Sequence, residues 1–341
     1  MKRISTLIIL AVILLTAMPP YSYGEGIVIG ATGDIMLAGR WAPLLKKQGY
    51  DQPFSGVAAT LAKSDINLAN LESPIARGGK EYTAKKFRFR AEPEVAKAMR
   101  KAGFNLVTLA NNHSMDFGPE ALTETMTNLE TAGITWVGAG ENLAKARRIA
   151  FFIVKGKKIA FLGYSLTQPV EFFAARQRPG TAPGYENIFT PDIARARREA
   201  DYVIVSFHWG QEGQGFPTSL QRSIAHKAID AGADVIIGHH PHVLQGIERY
   251  EKGIIFYSLG NFAFASKSTT ADQSVIILLR LDDAQREAEI LPLDVLYRRV
   301  GFQPRLLSGK PAKAVIERLN SLSNALKTEI KFQNNSYVVS F

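Results

Sequence analysis

Five apolar, β-branched runs in this 341-residue chain each stop at a side chain able to bind a proton or a metal ion. IVIGATG runs into Asp34, DINLANL into Glu72, NLVTLA into Asn111, Asn112 and His113, YVIVSF into His208, and VIIG into His239 and His240. Short apolar runs of this kind read as buried strands. Helical patterns at 92–102, 119–132, 192–200, 220–231 and 312–327 lie among them, and further strands are expected at 158–164, 253–260 and 274–281. The alternation is that of an α/β fold. In a mostly parallel sheet the C-terminal strand ends share one edge, where active sites of α/β proteins gather. Residues far apart in sequence are thereby expected to meet in one crevice. The segment 168–189, rich in Pro and Gly, reads as a loop or lid between two halves of the fold.

Five of the six histidines fall in three segments, ANNHSMD, FHWGQEG and GHHPH. The sixth, His226, sits in an amphipathic helical stretch and reads as a solvated or half-buried helix residue. In GHHPH, His240 and His242 flank Pro241, and an extended or turn conformation before proline would aim both rings at one place. The alternation of side chains turns His239 elsewhere. Asp34 and Glu72 add carboxylate oxygens, Asn112 a carbonyl oxygen and His208 another nitrogen. This mixed nitrogen and oxygen set suits Mn, Zn or Fe better than a hard calcium site. It is also larger than one tetrahedral ion needs, so one or two divalent ions are expected, a pair standing about 3.5 to 4 Å apart around a shared carboxylate.

With no cysteine in the chain, a disulfide framework, a thiolate metal site and a cysteine nucleophile are excluded. The first residues, a basic start at Lys2 and Arg3 followed by an apolar stretch from Ile4 to Met18, have the layout of a secretory signal peptide. Cleavage near Ser22-Tyr23-Gly24 and a periplasmic or extracellular location are expected, with an uncleaved membrane anchor as the alternative. The formal charge of +10 would attract anionic polymers or an anionic membrane surface. Basic clusters without interleaved aromatics argue against a nucleic-acid partner.

In this order, GDIMLAGR, NLANLESP, LANNHSMDFG, VSFHWGQEG, GADVIIGHHPHVLQGIE and FYSLGNF resemble the CapA family of bacterial capsule-synthesis proteins associated with poly-gamma-glutamate. That family is similar in fold to the calcineurin-like metallophosphoesterases. The resemblance runs from about Ile27 to Leu281 and implies a four-layer α/β/β/α sandwich. Domain limits follow: a signal peptide at 1–24, a metallophosphoesterase-like domain at 25–295 and a C-terminal extension at 296–341. It also implies roles. One ion would take Asp34, Glu72 and His242; the other would take Glu72, Asn112, His208 and His240. His113 would donate a proton to the leaving group, while Asp116 would either orient His113 or cap the following helix. Asn261 reads equally as a turn residue or a site residue.

Two departures from the metallophosphoesterase pattern stand out. Met36 occupies the place of a liganding histidine, and Glu72 replaces an aspartate. The ion at Asp34 would therefore be the weaker, its sphere completed by water, by Glu212 or left empty. The implied function is an exported metal-dependent hydrolase of phosphoester or gamma-glutamyl amide bonds. Its substrate would be an anionic polymer such as poly-gamma-glutamate or a phosphorylated small molecule. The competing reading is a non-catalytic polymer-binding or export component in contact with membrane-bound capsule synthesis proteins.

Overall fold

The computed structural model describes residues 26–39, 42–266, 268–282 and 286–341, so the expected signal segment lies outside the described residues. The chain begins with β1 (Ile27–Met36), the short helices α1 (Ala42–Gln48) and α2 (Ala58–Leu61), and β2 (Ile66–Leu71). Helix α3 (Glu94–Lys101), β3 (Leu106–Thr108), α4 (Gly118–Thr131) and β4 (Thr135–Val137) follow, and β1 to β4 lie side by side in parallel. Next come β5 (Ala139–Gly140), α5 (Leu143–Ala146), β6 (Ala150–Val154), β7 (Lys157–Ser165) and β8 (Gly180–Thr181), with β5 and β8 pairing in a small ladder of their own.

A second sheet is completed by α6 (Glu186–Glu199), β9 (Tyr202–His208), α7 (Ser219–Asp230), β10 (Val235–His239), β11 (Ile247–Tyr250) and β12 (Gly253–Phe256). Its order is β11-β12-β10-β9-β7-β6, parallel from β12 to β7. The chain then returns to the first sheet. There β13 (Asn261–Phe264) pairs with the end of β1, and β14 (Gln273–Leu281) runs antiparallel to its start and to β15 (Arg286–Asp294). Last come α8 (Tyr297–Val300), β16 (Arg305–Leu306), α9 (Gly309–Asn324), β17 (Lys331–Gln333) and β18 (Ser336–Ser340).

Alternation along the strands explains the layering, because successive side chains in a strand point to opposite faces. Ile27, Ile29 and Ala31 of β1 and Val275, Ile277 and Leu279 of β14 join Tyr202, Ile204, Val235 and Ile237 of the second sheet in one apolar core between the sheets. Their neighbours face outward: Val28, Ile276 and Leu278 pack with residues of α3 and α4, while Val203, Val205 and Ile236 pack with α6 and α7. The result is a four-layer α/β/β/α sandwich. Because both faces of each sheet are covered, the strands read as continuous apolar runs. Residues 296–341 join the same body, since α9 places Val315, Ile316 and Leu319 in the inter-sheet core and β18 pairs with β15.

The strand ends do not lie on one sheet edge, as the sequence suggested; β1, β2 and β3 bring theirs from one sheet and β9 and β10 from the other. The site therefore forms across the sandwich. Helix α6 starts at Glu186, inside the segment expected to be a loop, and Pro191 lies within it. Burial of Phe189 in the outer core beside β9 offsets the backbone bond that the proline omits. Among the described residues, no helix is long and apolar enough to cross a membrane.

Candidate metal centre

The regular pairing of β1 with β2 breaks between Ala31 and Asp34. Gly33 makes the break possible: a Cβ there would stand 1.9 Å from the carbonyl oxygen of Gly260, the same oxygen that accepts the Asp34 N–H at 3.1 Å. Beyond the break Asp34 lies opposite Asn70 of β2 and Asn261 of β13. Asn70 Nδ2 donates to Asp34 Oδ1 at 2.8 Å and to Glu72 Oε2 at 3.2 Å, so one amide spans both carboxylates. Asn111 in turn donates to Asn70 Oδ1 at 3.0 Å and to the Leu71 carbonyl at 2.8 Å, while its own Oδ1 accepts the His113 N–H at 3.0 Å. That bond shapes the turn presenting Asn112 and His113.

The second sheet supplies the imidazoles. His208 and His239 end neighbouring strands in register. The chain then turns sharply, with φ of 94° at His240 and 59° at His242, a left-handed region that residues other than glycine rarely adopt. Such backbone costs about 1–3 kcal/mol per residue and persists only where its surroundings impose it. Here the His240 N–H donates to Asp34 Oδ2 at 3.3 Å, and the carbonyl of Pro241 accepts the Gly213 N–H at 2.8 Å. The strained turn aims both rings back at the first sheet.

Three groups of donors result, each with its ligand atoms within 4.8 Å of one another: Glu72, His208 and His240; Asp34, Glu72 and His242; and Glu212, His240 and His242. Asn112 joins the first group, its Oδ1 standing 2.9 Å from His208 Nε2. All six expected ligands thus meet. Glu72 Oε1 is buried without a hydrogen-bond partner, 3.7 Å from His208 Nε2 and 3.7 Å from His242 Nε2. Those distances are too long for hydrogen bonds. They are close to the roughly 3.4 Å that separates two donors on one tetrahedral ion with bonds near 2.1 Å.

Charge points the same way. Burial and the neighbouring Asp34 push the Glu72 carboxyl well above the usual range. Burial would also raise Asp34, but the His239 and His242 contacts outweigh it and hold that carboxyl well below its ordinary value. Burial opposes a charge on His242, yet Glu72 and Asp34 carry its imidazole up to about 10. Burial and the other imidazoles depress His208 well below its ordinary value and His240 to about 3, which leaves both as neutral donors. Two carboxylates closed off from water demand positive charge, and a divalent cation would supply it without protonating either. The donor set therefore suits such a cation.

Around this centre, His242 Nδ1 lies 2.9 Å from Asn261 Oδ1 and 3.2 Å from Asp34 Oδ2, which turns Nε2 toward Glu72. Asn261 is thus a site residue rather than only a turn residue. His239 departs from the expectation that it points away: it joins no donor group, but its Nδ1 stands 3.2 Å from Asp34 Oδ1. Asp116 lies 2.6 Å from His113 Nδ1 and makes no capping bond to α4, whose N-cap is Phe117. Lys85 reaches the same pair, 2.6 Å from Asp116 Oδ1 and 3.1 Å from His113 Nδ1, with a further bond to the Asn112 carbonyl. Burial lowers the Lys85 ammonium and the His113 imidazole alike. Met36 is buried in the apolar core between the first sheet and its helices. His226 stays on α7, stacked on Tyr250 and 3.2 Å from Glu248.

Sequence reasoning missed Asn70 and Lys85 as site residues and marked Asn111 only as a strand-end residue without a role. For Asn70 a signal existed: it precedes Glu72 by two residues, and strand alternation puts both on one face. Lys85, one of the basic pair Lys85-Lys86, carries no such signal in the sequence.

A sequence profile of the family described as bacterial capsule synthesis protein PGA_cap matches residues 28–266. The chain belongs to this family. Every donor of the centre lies inside the matched segment of this capsule synthesis protein, whereas β15 to β18 and α9 lie outside it. The capsule biosynthesis protein CapA of Bacillus anthracis is 33% identical over 279 residues, 80% of this chain and 68% of that protein. The PGA biosynthesis protein CapA of Bacillus subtilis (strain 168) is 35% identical over 266 residues, 77% of this chain and 70% of that protein. Among solved structures, the NAD nucleotidase of Haemophilus influenzae is similar with a TM-score of 0.47 at 15% identity, over 86% of this chain and 62% of that one. The 5'-nucleotidase of Candida albicans gives 0.45 at 11% identity, over 89% of this chain and 58% of that one.

Proposed function

We propose that this capsule synthesis protein is an exported metal-dependent hydrolase acting on a phosphoester or amide bond during poly-gamma-glutamate capsule synthesis. The observation that carries the reading is the buried, unpartnered Glu72 Oε1, equidistant from two imidazole nitrogens, one at the end of β9 and one on the turn after β10. Asp34, Glu72 and His242 would hold one divalent ion, and Glu72, Asn112, His208 and His240 the other. When bound, such ions supply Lewis-acid polarisation of the scissile group and activation of water. The chain's own residues do the rest. Asp116 fixes the Nδ1 side of His113 and favours its imidazolium against burial, so that Nε2 would meet the leaving group and, from the charged ring, give it a proton, leaving a neutral imidazole. Lys85 holds Asp116 in place.

The relatives named for PGA and capsule biosynthesis favour a polymer-related role. The chain's charge of +10 favours the second reading, a polymer-binding or export component without turnover. Elemental analysis of the purified chain, with hydrolysis of a chromogenic phosphodiester and a gamma-glutamyl anilide in added Mn or Zn, separates the two. Bound metal with metal-dependent turnover is the expected result. Bound metal without turnover on either substrate would select the polymer-binding role, and a metal-free chain that takes up no ion would refute the centre itself.

A further inference from the structure

From the third donor group we infer that Glu212 is the ligand standing in for the histidine that Met36 displaces; this rests on the metal reading above. Met36 is turned into the apolar core, so β1 offers the centre only Asp34. An ion at Asp34, Glu72 and His242 then has three protein donors and an open side. Glu212 shares His242 with that ion, its carboxylate lying within 4.8 Å of the donor atoms of His240 and His242. With bonds near 2.1 Å, donors on an octahedral ion stand about 3 Å apart when adjacent and about 4.2 Å when opposite. Glu212 stands in no group with Asp34 or Glu72, so its exposed side chain must swing inward to share their ion.

The backbone of this residue is held in place even though its side chain is exposed. The next residue, Gly213, donates its N–H to the Pro241 carbonyl, midway between His240 and His242, at 2.8 Å. Gln245 Nε2 donates to the carbonyls of Gln214 and Phe216 at 2.9 and 3.2 Å, fixing the far side of the loop. His240, in the same donor group, brings a second observation: its Nδ1 is buried without a hydrogen-bond partner. Glu212 is thus the solvent-side donor of the weaker ion. The loop after β9 replaces a ligand that β1 does not provide.

Calorimetric titration of the metal-stripped full chain with Mn, for the natural protein and for Glu212→Gln, tests the assignment. The natural protein is expected to bind two ions of unequal affinity. Glu212→Gln should lose the weaker ion, or bind it at least tenfold less tightly, with the stronger unchanged. Two ions bound equally well by both proteins would overturn the assignment while leaving the metal centre intact. Equal weakening of both ions, the signature of a nearby charge rather than a ligand, would overturn it too. A natural protein that binds no ion would overturn the metal reading and this inference together. Because Glu212 is exposed, the substitution spares the core, and Glu212→His, a neutral residue that can ligate, should retain the second ion.

Discussion

Removing the amide of Asn70 tests whether the two carboxylates are set by this residue. In Asn70→Ala, Asp34 keeps its contacts with His239, His242 and the His240 N–H, but Glu72 Oε2 loses the donor at 3.2 Å and Asp34 Oδ1 the one at 2.8 Å. Hydrogen bonds to charged groups contribute about 1.5–3 kcal/mol each. The bond to Asp34 is the shorter and better placed of the two, so it should dominate. Losing partners that orient metal-binding side chains typically weakens metal binding by about 10- to 100-fold, or roughly 1.4–2.7 kcal/mol, a range that matches one such bond. Asn111 loses its contact with Asn70 Oδ1 but retains the Leu71 carbonyl, so the turn bearing Asn112 and His113 should survive. Titration of metal-stripped protein with Zn or Mn measures the loss, and a urea melt confirms that the variant is folded. An affinity within threefold of the natural protein, in a folded variant, would refute the idea that Asn70 fixes the carboxylate geometry.

Metal uptake should also release protons, because His242, held at up to about 10, must shed its charge before Nε2 can donate to a cation. Below about pH 10 the affinity should therefore fall by about tenfold per pH unit for each proton displaced; calorimetry in buffers of different ionisation enthalpy counts them, and no release would contradict the charge balance described. Substituting His113→Ala should leave metal content unchanged and reduce turnover by about 10²- to 10⁴-fold, so unchanged turnover would remove His113 from the chemistry. In Gly33→Ala the new Cβ would meet the Gly260 carbonyl at 1.9 Å, and a loss of about 3 kcal/mol in a denaturant melt is expected; a midpoint equal to that of the natural protein would show that β1 and β13 can separate at this point.

What the sequence determined by itself is the chemistry at the strand ends. An apolar run and the polar side chain that stops it are adjacent in the chain, so Asp34, Glu72, Asn112, His208 and His240 were legible without a fold, and the ordered motifs identified the family. The alternation of strands and helices was legible for the same reason, since burial of both strand faces leaves a continuous apolar run. Tertiary structure decided the rest. Only the packing of two sheets shows that the strand ends face one another across a sandwich. Only cross-strand register places Asn70 and Asn261 beside Asp34 and turns His242 Nε2, rather than Nδ1, toward Glu72. Lys85 reaches Asp116 and His113 from a loop about 30 positions away in sequence, a contact no local pattern encodes. The left-handed backbone at His240 and His242 was illegible because neither residue favours it; contacts from Asp34 and Gly213 impose it, and these exist only once both sheets are assembled.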